Sequence, residues 1–106
     1  MKLSVKERIL LDRLYIQKGS MSEQIIMRDI KKKVDFTQSE IKEFNIVSKG
    51  NRITWDKENT KCIEIDFSQA ELELLKTQVT ELDNKKEITD EILDVCIKVK
   101  NAEVKS

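Results

Sequence analysis

The chain has 106 residues, the size of about one domain on the usual range of ~100–200 residues. Charged residues make up 38% of it, but 20 basic side chains balance 20 acidic ones, so net charge gives no reason to expect a polyanionic partner. There is no His and there are only two Gly, which excludes His-dependent triads, imidazole zinc sites, P-loops, dinucleotide fingerprints and nucleophile elbows.

The elements follow in chain order. Ser4 with Glu7 is a capping box, in which hydroxyl and carboxylate each satisfy a free backbone N–H. Ile9, Leu10, Leu14 and the last-turn Lys18 extend this first helix, and Gly19 is expected to end it with a left-handed cap. Ser20 or Ser22 starts a second helix, with Ile26, Ile30 and Val34 in i, i+4 register and Lys31-Lys32-Lys33 complementing its C-terminal dipole. Thr37 with Glu40 caps a short third helix, stapled by Phe36 and Ile41 and ending near Phe44. The period then changes from 3.6 to 2. Residues 46–48 and 53–55 read as the strands of a hairpin around Lys49-Gly50-Asn51-Arg52. Residues 61–67 alternate, with Ile63, Ile65 and Phe67 on one face and Glu64 and Asp66 on the other, and are expected to add a third strand to that hairpin. Ser68 with Glu71 caps a fourth helix striped by Leu72, Leu75, Val79 and Leu82, and Thr89 caps a fifth.

The predicted fold is therefore α+β: three N-terminal helices, a small antiparallel sheet and a C-terminal helical hairpin. Residues 1–100 form a single domain and 101–106 a frayed tail. The expected core joins Ile9, Leu10, Leu14, Ile26, Ile30 and Ile41 with Phe44, Ile63, Ile65, Leu72, Leu75 and Val79. Leu, Ile, Val and Phe number 32, about 30% of the chain and above the ~20% below which disorder is expected.

The last helix is apolar around much of its circumference. Ile92, Leu93, Val95, Cys96, Ile97 and Val99 cover an arc of about 200°, twice the ~100° stripe of a helix packed on one side. Only Asp94 and Lys98 mark a solvated stripe. This predicts a homodimer through Ile92, Leu93, Cys96 and Ile97, unless the helix sits centrally within one subunit. The charge is also divided. Residues 1–57 carry 13 basic and 8 acidic side chains, and residues 58–106 carry 7 and 12. That dipole can orient a partner.

Leu3-Ser4-Val5-Lys6-Glu7-Arg8-Ile9, the stretch from Phe36 to Ile46, Ile53-Thr54-Trp55-Asp56, and the ending Leu82-Asp83 with Ile88-Thr89-Asp90-Glu91 carry a resemblance. Together they resemble a family of roughly 100-residue accessory proteins of phages and prophages of low-GC Gram-positive bacteria. Those motifs punctuate the fold and are not catalytic signatures. The resemblance implies a phage-type protein in a bacterial cytoplasm and transfers no functional residues.

Function is therefore weighed residue by residue. Trp55, the only tryptophan, is either a binding hot spot or a residue packed beneath the helices. Lys31, Lys32 and Lys33 are either a solvated helix end or a contact for phosphate or an acidic partner. Lys49 and Arg52 place further positive charge at the hairpin. Glu64, Asp66 and Asp56 are the carboxylates that a divalent cation would need, but alternation puts Glu64 and Asp66 on a solvated face, so no metal, cofactor or catalytic residue is expected. Cys62 and Cys96, 34 positions apart, read as free thiols in a reducing cytoplasm. The N-terminal stretch lacks the apolar core of a signal peptide, and no apolar run reaches the ~18–20 residues of a membrane span.

The expected function is a non-enzymatic protein-interaction module, with a host or phage protein as partner. The alternative is a winged-helix-like DNA-binding protein, since three helices and a hairpin match that order. Its recognition helix would be Gln38 to Phe44, short and carrying Glu40 and Glu43 toward a polyanion.

Overall fold

A computed structural model describes residues 1–103. Four of its helices begin where a hydroxyl and a carboxylate three residues apart close on each other. The elements are β1 (Lys2–Leu3), α1 (Val5–Leu10), a 3-10 turn (Leu11–Leu14), α2 (Met21–Val34) and α3 (Gln38–Glu43). They continue as β2 (Val47–Lys49), β3 (Arg52–Thr54), β4 (Ile63–Glu64), α4 (Gln69–Asn84) and α5 (Asp90–Asn101). Full capping boxes open α1 at Ser4, α2 at Ser20, α3 at Thr37 and α4 at Ser68. Thr89 occupies the N-cap of α5 but makes no side-chain capping bond. The architecture is α+β.

The helix-capping glutamates also act at a distance. Glu7 receives the Lys98 ammonium of α5 at 2.6 Å, and that ammonium also donates to the Lys2 carbonyl at 3.0 Å. Glu71 receives Lys33 of α2 at 2.6 Å, and Lys33 donates as well to the Asp66 carbonyl at 3.0 Å. Glu40 receives Arg8 of α1. Each of these carboxylates caps its own helix and pins another. Burial pushes Glu7 and Glu71 up, but the lysines and the capped Ser4 and Ser68 amides prevail, holding both below the ordinary 4.5. In Glu40 the Arg8 hydrogen bonds dominate, with the same outcome.

One apolar cluster joins these elements. It includes Leu3 of β1, Leu10, Leu11 and Leu14, Met27 and Ile30 of α2, Ile65, Leu75 of α4, and Val95 and Val99 of α5. Of the expected core, Leu10, Leu14, Ile30, Phe44, Ile65, Leu72, Leu75 and Val79 are buried, whereas Ile9, Ile26, Ile41 and Ile63 are half-buried.

Four expectations need correction. The first helix stops at Leu14, because a tight last turn lets Leu11 and Leu14 both enter the core and Ile16 follow them. Gly19 is not left-handed; a Cβ there would lie 3.0 Å from Ile16 Cδ1 and 3.2 Å from Glu23 Oε1, so a side chain at this position would need those two side chains to shift slightly. The third strand does not join the hairpin. It is only Ile63–Glu64, paired antiparallel with β1, and β2–β3 forms a separate two-stranded sheet. An apolar face carrying Ile65 and Phe67 needs a core to bury it, which β1 and Leu3 border and the hairpin does not. Finally, α5 extends through Asn101 and Ala102 packs against the core, so the chain is ordered past the expected start of the tail. Residues 104–106 of that tail lie outside the described residues.

The second covering predicted for α5 is provided within the subunit, where α5 packs on both α4 and α1. Ile92 and Cys96 are consequently buried in their own core and unavailable to a second copy, which corrects their assignment as self-association residues. Leu93 and Ile97 remain exposed, one turn apart. Lys98 does not lie on a solvated stripe, since it is the cation on Glu7. No helix among the described residues is long and apolar enough to cross a membrane.

Candidate functional site

The hairpin stands clear of the core. All six residues of β2 and β3 are exposed, and Gly50 takes φ +58° at the turn. Cross-strand register pairs Val47 with Thr54, Ser48 with Ile53 and Lys49 with Arg52. Partners in a ladder share a face, so Ile53 lies on the face opposite Lys49 and Arg52. Ile53 is 42% exposed and, with Ile9 of α1 and Asp12, lines two adjoining cavities.

The first cavity, about 450 Å³, runs between α1 and the end of α2. Tyr15 and Phe36 form its aromatic walls, and Arg28, Lys31 and Lys32 its basic rim. The second, about 410 Å³, includes Arg52, Ile53 and Trp55, and continues past Lys6 and Trp55 into a third of about 470 Å³ beside Lys57. The first two share Ile9, Asp12 and Ile53 and the last two share Lys6, Trp55 and Glu91, so together they make a segmented groove along α1, with the hairpin's Ile53 at the first junction.

Each of its aromatic rings carries a cation. The Arg8 guanidinium lies 4.1 Å from the Phe36 ring centre, the Lys31 ammonium 5.5 Å from Tyr15 and the Lys57 ammonium 5.8 Å from Trp55. Arg8 is nevertheless committed to the fold. It is 4% exposed and donates from Nε to the Val34 carbonyl at 3.0 Å, from Nη2 to the Asp35 carbonyl at 2.8 Å, and to Glu40. It ties α1 to the turn between α2 and α3, forming the groove's floor. Burial, followed by Asp12 and Asp35, pushes the Tyr15 hydroxyl up to about 12, so it stays a neutral donor.

The structure thus gathers Trp55, Arg52, Lys31 and Lys32 around one groove, from segments at least 20 positions apart. Lys49 lies outside that lining, exposed opposite Arg52. Lys33 is corrected from a partner-binding candidate to a structural tie, because its ammonium is taken by Glu71 and the Asp66 carbonyl. Tyr15, Phe36, Ile9 and Ile53 were missed as site residues. Helical period puts Ile9 in the core, but it does not reveal that the hairpin leaves one side of that residue uncovered.

Among the described residues no group of three or more Cys, Asp or Glu is arranged to hold a metal ion. Glu64 pairs with the Met1 ammonium at 3.1 Å, and Asp56 Oδ1 accepts the Glu58 amide at 3.1 Å. Cys62 is exposed and Cys96 buried, both as free thiols. Helix α3 has six residues; Arg8 holds its Glu40 and Lys61 holds its Glu43. Comparison with family models, with curated proteins and with solved structures found no match for this chain.

Proposed function

We propose that the protein is a non-catalytic protein-interaction module of the phage-accessory type, acting in a bacterial cytoplasm on a host or phage protein. The observation that carries this reading is the groove along α1, where exposed Ile53 and half-buried Trp55 lie beside Ile9, Tyr15 and Phe36. Large apolar groups beside a charged rim are the composition of a protein interface, with Trp and Tyr the usual energetic centres. The winged-helix alternative has less support. A six-residue α3 whose carboxylates already serve Arg8 and Lys61 offers little reach into a major groove.

Affinity capture from a bacterial lysate, with and without nuclease, tests the reading. A captured protein that survives nuclease and is lost with Ile53→Asp supports it. Capture that needs intact nucleic acid, or that ignores Ile53→Asp, overturns it.

Self-association is proposed separately and in narrower form, through Leu93 and Ile97, which are 41% and 47% exposed on α5. Light scattering on a sizing column at tens of micromolar checks it. A dimer mass that reverts to monomer in Ile97→Asp supports it, and a monomer mass ends it.

A further inference from the structure

We infer that the groove along α1 takes an acidic peptide segment of the partner, one that presents large apolar side chains between its carboxylates. The inference rests on the protein-interaction reading above and adds the chemistry of the occupant.

Charge selects it first. On the α2 side, Arg28, Lys31 and Lys32 face Asp12 and Asp35. Past Ile53, Lys6, Arg52 and Lys57 face Glu91, which Arg13 already holds at 3.3 Å. Arg8 is neutralised by Glu40 and adds no free charge. Basic side chains therefore outnumber acidic ones in each of the three cavities, in a chain whose total charge is zero. Complementary charge across an interface steers encounter and excludes partners of the wrong sign.

Shape and apolar content select it second. Ile9 and Ile53 meet at the middle, Tyr15 and Phe36 lie at one end and Trp55 toward the other. Such spacing suits separate anchor side chains, not a continuous apolar stripe. The cations over the rings decide between a peptide and a single-stranded nucleic acid. A base stacking on Trp55 or Tyr15 would have to displace Lys57 or Lys31. A carboxylate instead meets those ammonium groups where they already are.

A displayed library of short random peptides, panned on the full chain and counter-selected on Ile53→Asp, tests this. Ile53 is exposed, so the variant retains the fold, which circular dichroism verifies. The expected survivors are net acidic and carry at least two large apolar residues. A synthetic survivor should shift the emission of Trp55, the only tryptophan. Its affinity should fall about tenfold or more in the double variant Lys31→Glu, Lys32→Glu. Survivors that are neutral or basic, or an affinity indifferent to that charge reversal, overturn the acidic occupant and leave the interaction module standing. If no peptide survives, both readings fall, and a Trp55 shift with oligothymidylate would then replace them with nucleic-acid binding.

Discussion

The described residues form two sheets of two strands each, and they are opposites. In β1–β4, Lys2 pairs with Glu64 and Leu3 with Ile63, bringing together segments about 60 residues apart in sequence. Leu3 is fully buried, and the Lys98 ammonium from α5 donates to the Lys2 carbonyl. In β2–β3 the strands are joined by Gly50 and Asn51, and every strand residue is exposed. The first sheet exists because a core closes over it. The second exists because a turn directs it, which frees its side chains to face something else. An isolated hairpin is marginal in water, so a surface hairpin bearing exposed Val47 and Ile53 is better suited to contact than to stability.

Mutations should separate the two sheets sharply. Leu3→Ala removes a fully buried side chain from β1 and should cost about 2–5 kcal/mol in denaturant melts. A loss within ~0.5 kcal/mol would place β1 outside the cooperative core. Acid should act next, again on the tied side of the molecule. Glu7, Glu40 and Glu71 have carboxyl values depressed below 4.5 in the folded chain. Their contribution is complete above that value and is lost as pH falls through the lower, folded values. With no His to titrate, the melting temperature should be flat between about pH 5 and 8 and fall below 4.5. The double variant Glu7→Gln, Glu71→Gln should flatten that fall, and an unchanged acid limb would mean the two pairs contribute nothing. The smallest effect belongs to the hairpin. At Gly50 a Cβ meets nothing within 4 Å, so Gly50→Ala costs only the left-handed backbone, about 1 kcal/mol. A larger loss would tie the hairpin to the core after all.

The same contrast explains what the sequence discloses. Helix starts are local, so the boxes at Ser4, Thr37 and Ser68 are legible, as is the hairpin turn at Gly50, whereas the start of α2 is legible only as Ser20 or Ser22. β1 is not legible, because two residues cannot display a period and their partner lies beyond position 60. Nor can sequence show that a capping glutamate will bind a second helix; Glu7 looks the same with or without Lys98. The error at Gly19 has a similar source. Glycine marks both left-handed caps and close approaches, and only Ile16 folding back toward Glu23 distinguishes them. Part of the site was visible as residue types, in Trp55, Arg52, Lys31 and Lys32. Their common groove was not, since it depends on where the hairpin lies over Ile9.

The tie from Lys98 to Glu7 and to the Lys2 carbonyl joins segments of the chain that are synthesised far apart in time. At ~5–20 residues per second, the interval between synthesis of Leu3 and of its partner Ile63 is roughly 3–12 s. Lys98 follows later still. Throughout that interval Leu3, Leu10, Leu11 and Leu14, all destined for the core, have no completed core to enter. During synthesis those leucines therefore stay without their native partners until the segments that carry Ile65, Leu75 and Val95 have been made.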